Sequence, residues 1–202
     1  MPLVFSPRRM GPVPLRTGSD SYLGVERLEM GKSEFIIDPA LLDIERPIAG
    51  IEEIRALNPQ RHEMEQLTAI LHEDLERNAC AAYKDITDQE FWVRGHMPGM
   101  PLMPGVIMLE AVAQLSSYFT QKHDLLGAAM VGFGGVDEVR FRGVVTPGDQ
   151  LIVMVMLEKA RRGRMIVARF QGVVDENLVL EGVLRGIPIP IEAVTSQLKK
   201  IV

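Results

Sequence analysis

Between Gly105 and about Gln121 the chain has no internal proline or glycine and is rich in Leu, Met, Ala and Glu, all strong helix formers. Val106, Ile107, Met108, Leu109, Ala111, Val112, Ala113 and Leu115 make this helix apolar on nearly every side, the pattern of an enclosed element rather than a surface one. Downstream the pattern changes. Runs rich in Val and Ile occupy 129–133, 136–145, 150–159, 164–174 and 177–187, broken by Thr146-Pro147-Gly148-Asp149, Arg161-Arg162-Gly163 and Asp175-Glu176-Asn177. Links this short leave no room for helical crossovers, so antiparallel pairing is expected. One long apolar helix and several antiparallel strands point to an α+β domain with the sheet wrapped on the helix.

Upstream the signal is weaker. Residues 79–86 and 91–94 read as two short strands. Glu63 to Leu75 fits both periods, since Met64, Leu67, Ile70 and Leu71 suit a helix while Leu67, Ala69 and Leu71 alternate as a strand does. Gly50 to Leu57 fits two helical turns, stopped by Asn58-Pro59. Up to about Arg46 no period is sustained, and the reading is an irregular arm that holds at most one short strand at Glu34-Phe-Ile-Ile.

Composition narrows the function. In 202 residues, 47% are hydrophobic and 24% charged, which suits one core with an extension and disfavours a disordered or fibrous chain. Lys and Arg total 22 against 27 Asp and Glu, so the net charge of -5 offers no general attraction for phosphate backbones, and nucleic acid is not an expected partner. Cys80 is the single cysteine and has no metal-ligand cluster around it, consistent with a reducing cytoplasmic setting. The start, MPLVFSPRRMGPVPLR, lacks the unbroken apolar stretch of a secretory signal. Met97 to Leu109, the longest uncharged run before Glu110, holds three prolines and is too short to span a bilayer.

The candidate chemistry lies around that apolar helix. Glu110 stands in its middle, where an isolated carboxylate must find a hydrogen-bond partner or take up a proton. Either a structural group satisfied by a neighbour or a general acid fits this position. Gln114, one turn on, is within reach of the carboxyl in both cases. Before the helix, Gly95, Pro98, Gly99, Pro101, Pro104 and Gly105 make a stiff loop able to hold His96 at the helix start. His62, His72 and His123 carry no such setting. Backbone N–H groups at Gly105 are unpaired at the helix start, a place suited to an enolate-like oxygen and equally to simple capping.

On these residues the sequence resembles the 3-hydroxyacyl-(acyl carrier protein) dehydratases of bacterial fatty acid synthesis, which have the hot-dog fold. The match runs through Gly95-His96-Met97-Pro98-Gly99, Pro101, Met103-Pro104-Gly105-Val106 and Leu109-Glu110-Ala111-Val112-Ala113-Gln114. A second block is Val139-Arg140-Phe141-Arg142, followed by Val145-Thr146-Pro147-Gly148-Asp149. The resemblance implies a curled antiparallel sheet around the buried helix, over roughly 59–190, with 1–58 as an N-terminal extension and 191–202 as a tail. It makes the ambiguous segment near Leu67 to Leu71 the first strand. It further implies that His96 takes the C2 proton and Glu110 helps the C3 hydroxyl leave as water. The Gly105 N–H would hold the thioester oxygen, with Gln114, Pro104 and Met97 contacting substrate. No cofactor or metal is implied, the substrate carrier is acyl carrier protein, and the assembly is a homodimer or a trimer of dimers whose sites combine His and Glu from opposite subunits.

Three departures bear on this picture. Met97 replaces a Phe, Arg94 stands where Gln is common, and the family's His-Arg…Pro-Phe-Leu-Leu motif reads here Gln60-Arg61-His62-Glu63-Met64-Glu65-Gln66-Leu67. The alternatives carried forward are an isomerising dehydratase, against which Glu110 argues because that family places Asp there, and a non-catalytic acyl-binding scaffold. Arg140, Arg142, Arg161, Arg162 and Arg164 form either a basic patch for an acidic carrier or a solvated face.

Overall fold

In the computed structural model, residues 35–191 and 195–196 are described. The elements run α1 (Ile51–Leu57), β1 (Ala69–Asp74), β2 (Ala79–Asp85), α2 (Gly105–Lys122), β3 (Val131–Phe141), β4 (Gln150–Arg161), β5 (Met165–Val174) and β6 (Asn177–Pro188). All strand pairs are antiparallel, and the six-stranded order is β1-β2-β4-β5-β6-β3. This is the expected α+β arrangement, the sheet curling about α2 so that the helix meets β2, β3, β4, β5 and β6.

Side-chain alternation decides which residues face the helix. On β4, Leu151, Val153 and Val155 join Ala111, Val112, Leu115, Tyr118 and Phe119 of α2 in the main core. Their neighbours Ile152, Met154 and Met156 point to the opposite face. That face is covered by the chain itself: Ile36 and Ile37 pack on Ala79, Ala81, Met154 and Val173, and Leu42 and Ile44 pack near Ala69, Leu71 and Tyr83. The Ile36 N–H donates to Gln171 Oε1 at 2.8 Å, fastening this cover to β5. Covering on both faces explains why β4 reads as a continuous apolar run rather than an alternating one.

Several sequence expectations change. The segment 91–94 is a series of turns, not a strand, because Val93, Gly95 and His96 donate locally to Glu90 and Trp92 carbonyls instead of to a neighbouring strand. The runs 129–133 and 136–145 merge into the single β3, bent at Gly135 and Glu138, both with positive φ, where the register with β6 shifts. Residues 35–37 form no strand; they pack by their side chains and are tied to β5 by the Ile36 N–H bond to Gln171. The ambiguous 63–75 segment divides into a short turn at His62–Met64 and strand β1 from Ala69. Of the arm, residues 1–34 lie outside the described residues, as does most of the tail.

Candidate active site

Glu110 sits in the second turn of α2, half-buried. Its Oε1 accepts from Gln114 Nε2 at 2.8 Å, the i,i+4 neighbour, and from Gln60 Nε2 at 3.3 Å. Gln114 is buried, at 2% exposure, and every remaining hydrogen bond of its amide goes to the protein: Nε2 donates to the Met64 carbonyl at 2.6 Å and Oε1 accepts the Gln66 N–H at 2.9 Å. Asn58 Nδ2 donates to the Gln114 carbonyl at 2.9 Å. The segment 58–66 is thereby tied along α2, and two neutral amides aim the carboxyl. Glu110 Oε2 faces no protein donor among the described residues. A small cavity of about 80 Å³ opens beside it, bounded by Gln60, Ser116, Val131, Phe133 and Leu184 among others.

His96 belongs to a different piece of the chain. Its N–H donates to the Trp92 carbonyl at 2.8 Å, and its carbonyl accepts from Leu102 N–H at 2.8 Å. The ring Nδ1 lies 2.8 Å from the Leu102 carbonyl oxygen. A carbonyl can only accept, so Nδ1 is the donor in this contact, and of the two neutral tautomers it selects the one with the lone pair on Nε2. The loop is closed by Met97 and Met100, whose backbones exchange hydrogen bonds at 3.0 and 2.9 Å, and is docked by Met103 N–H on the Val145 carbonyl at 2.7 Å. Val145 opens the turn in which Asp149 Oδ2 accepts the Thr146 N–H at 2.7 Å. The second motif block thus braces the first.

Between the two lies the helix start. Pro104, half-buried, caps α2, and its carbonyl takes the N–H groups of Ile107 and Met108 at 2.9 and 3.3 Å. Gly105 and Val106 precede the first helical bond, so their amides remain available at the positive end of the helix dipole. A Cβ at Gly105 would come within 2.6 Å of the Phe141 ring, so glycine lets the helix start lie against the end of β3.

Within one chain, then, Glu110, Gln114 and Gln60 are brought together, and Met97, Pro104 and Gly105 follow His96 toward the helix. No hydrogen bond among the described residues joins His96, which is exposed, to Glu110. Gln60 and Asn58 escaped sequence reasoning: the departure at 60–67 was visible, but nothing local indicates that this segment doubles back onto the helix 50 residues away. The arginines are less available than their number suggests. Arg142 pairs with Glu181, Arg140 approaches the same carboxylate at 3.8 Å, and Arg162 pairs with Asp124 at 2.6 Å. Burial pushes the Cys80 thiol well above its ordinary pKa, which leaves it an inert core group. Among the described residues no group of three or more His, Cys, Asp or Glu could hold a metal ion, and no helix is long and apolar enough to cross a membrane.

A curled antiparallel sheet around one helix, with a histidine loop at its start and a glutamate inside it, defines a hot-dog protein of the dehydratase type. Residues 58–183 match the model of the FabA-like domain. The 3-hydroxyacyl-acyl-carrier-protein dehydratase FabZ of Desulfotalea psychrophila is 37% identical over 152 residues, covering 74% of this chain and 95% of that protein. FabZ of Klebsiella pneumoniae is 38% identical over 138 residues, covering 66% and 89%. The chain belongs to the FabA-like family, on the side of the FabZ dehydratases. Among solved structures it shares its fold with the dehydratase heterocomplex ApeI:P from Xenorhabdus doucetiae, at 15% identity and a TM-score of 0.60, covering 74% of this chain and 97% of that one. Cj0977, a sigma28-regulated virulence protein from Campylobacter jejuni, shares it at 15% identity and a TM-score of 0.54, covering 72% and 96%.

Proposed function

We propose that this protein dehydrates 3-hydroxyacyl thioesters carried by acyl carrier protein to trans-2-enoyl thioesters in fatty acid synthesis. The observation that supports this reading is the His96 ring, whose Nδ1–H is committed to the Leu102 carbonyl at 2.8 Å, a tautomer that leaves Nε2 as the nitrogen for a base. His96 Nε2 takes the proton at C2 while the thioester oxygen, gaining enolate character, is held by the Gly105 N–H. The C3–O bond breaks and the hydroxyl leaves as water with a proton from Glu110. Gln114 and Gln60 keep the Glu110 carboxyl oriented through Oε1, which leaves Oε2 for the hydroxyl. In this reading Gln114 positions Glu110 rather than touching substrate, and Met97 and Pro104 flank the thioester. The catalytic domain is 59–190, with residues 35–44 covering the outer face of the sheet and α1 packed against α2. Proton transfers and carbonyl polarisation suffice, so the reaction needs no redox cofactor.

His96 and Glu110 share no hydrogen bond among the described residues, and in this reading the site is completed by a second copy. Edge strand β3 supports this, since it carries the exposed Phe133 and Phe141 close in sequence to the exposed Val144, and the helix start adds Val106 at 69% exposure. Hydration of a crotonyl thioester by the purified protein tests the activity. Turnover by the wild type and none by His96→Ala is the expected result; equal rates for both would overturn it. A monomer in solution that is nevertheless active would overturn the shared site.

A further inference from the structure

Lys84 is the penultimate residue of β2, on the same face as Cys80 and Ala82, which belong to the main core. Its Nζ is 3.1 Å from Glu90 Oε1, and the two side chains are only 10% and 11% exposed. Glu90 begins the run of turns that ends on His96: its carbonyl accepts the Val93 N–H at 3.0 Å, and the Trp92 carbonyl accepts Gly95 and His96 N–H at 3.0 and 2.8 Å. Between Ile86 and His96, the other side-chain hydrogen bonds among the described residues are local ones, Gln89 to Thr87 and to Asp88. Trp92 is buried, but its Nε1 finds no partner, so it sets the depth of the segment without a directional bond. The polar bond from a side chain of this segment to the sheet is the one from Glu90 to Lys84.

A buried ion pair is poor value as a source of stability, since desolvating two charges offsets most of their attraction, and apolar replacements of similar size are often neutral or stabilising. What it does provide is one fixed geometry. We propose that the Lys84–Glu90 pair is the positioning device of the His96 loop, fixing the turn at 90–93 so that the Trp92 carbonyl holds the His96 backbone N–H and, through the loop, the Leu102 carbonyl holds the imidazole Nδ1 with Nε2 free to accept. This inference rests on His96 being the base of the reaction.

The test replaces both partners at once, by Lys84→Met with Glu90→Met, which leaves no lone buried charge. Expected are an unchanged or higher Tm, a kcat about 10- to 100-fold lower with a smaller change in KM, and 15N ring signals of His96 that show mixed tautomers in place of Nδ1–H. Lys84→Arg alone, which keeps the charge, retains most of the activity. Wild-type kcat and an unchanged ring signal in the double variant would overturn the proposal while His96→Ala still abolishes turnover. If wild type and His96→Ala are equally inactive, the functional reading falls instead, and the ring signal still reports on positioning. Should the double variant not fold, the signal is read in Glu90→Gln, where an unchanged Nδ1–H tautomer overturns the proposal.

Discussion

Helix α2 meets a glutamate near each end, and the two are held in opposite ways. Glu110, in the second turn, is bound by the neutral amides of Gln114 and Gln60. Glu73, brought from β1 to the helix C-terminus, is bound by Lys122 Nζ at 2.7 Å and His123 Nε2 at 3.0 Å. Burial works against ionisation of Glu73, but the hydrogen bonds from Lys122 and His123 outweigh it and hold its carboxyl below the usual value. Tyr118 adds its hydroxyl to the Lys122 ammonium at 3.1 Å, and the His123 ring meets Phe119 edge-on at 4.8 Å. An amide can donate to a carboxylate or to a protonated acid, whereas a cation favours the anion alone. The same residue type thus meets only neutral donors at one end of the helix and is paired with cations as a structural anion at the other.

The widest separation between the two comes from removing each carboxylate. Glu110→Gln should lower kcat by about 10²- to 10⁴-fold with little change in Tm, measured on a crotonyl thioester alongside thermal unfolding. A Glu110→Gln protein of near wild-type activity would place the acid elsewhere. Next in size is Gln114→Ala, which strands the buried Gln66 N–H and Met64 carbonyl and frees Glu110. A loss of about 2 kcal/mol of stability, together with roughly tenfold in kcat, is expected from unfolding curves and steady-state rates.

Glu73→Gln should do the reverse of Glu110→Gln, leaving kcat intact while costing about 1 to 2 kcal/mol at neutral pH. Its pH dependence has a definite sign. With the folded pKa below the unfolded value of about 4.5, the stabilisation is complete above that value and fades as the pH falls through the lower, folded one. The Tm gap between wild type and Glu73→Gln should therefore close on acidification, and a gap that stays constant would argue against ion pairing. The smallest effect is expected for Gln60→Ala, which removes one long hydrogen bond of 3.3 Å and should cost under about 1 kcal/mol, seen chiefly as a modest fall in kcat.

The two ends were unequally legible. Glu110 and Gln114 are four apart on one helix, a spacing that sequence alone places on one face, and the proline- and glycine-rich loop around His96 is a local signal. Glu73 gave no hint of its role, since its partners are 49 and 50 residues away. Gln60, Asn58 and the Lys84–Glu90 pair were hidden for related reasons: a short irregular segment or a turn carries no period, and its contacts depend on where the sheet curls. The apparent strand at 91–94 misled because Phe91, Trp92 and Val93 are strand formers by type, yet Trp92 reaches the core from within a turn while Phe91 stays exposed.

By itself the sequence determined the long buried helix, the antiparallel strands after it, the motif that identifies the family, and the candidate acid and base, because each is written in short-range periodicity or fixed spacing. Only the tertiary structure decided which amides aim Glu110, what covers the outer face of the sheet and how the His96 loop is anchored. Those features are pairings between distant segments, and their energies exist only once the sheet has closed around the helix.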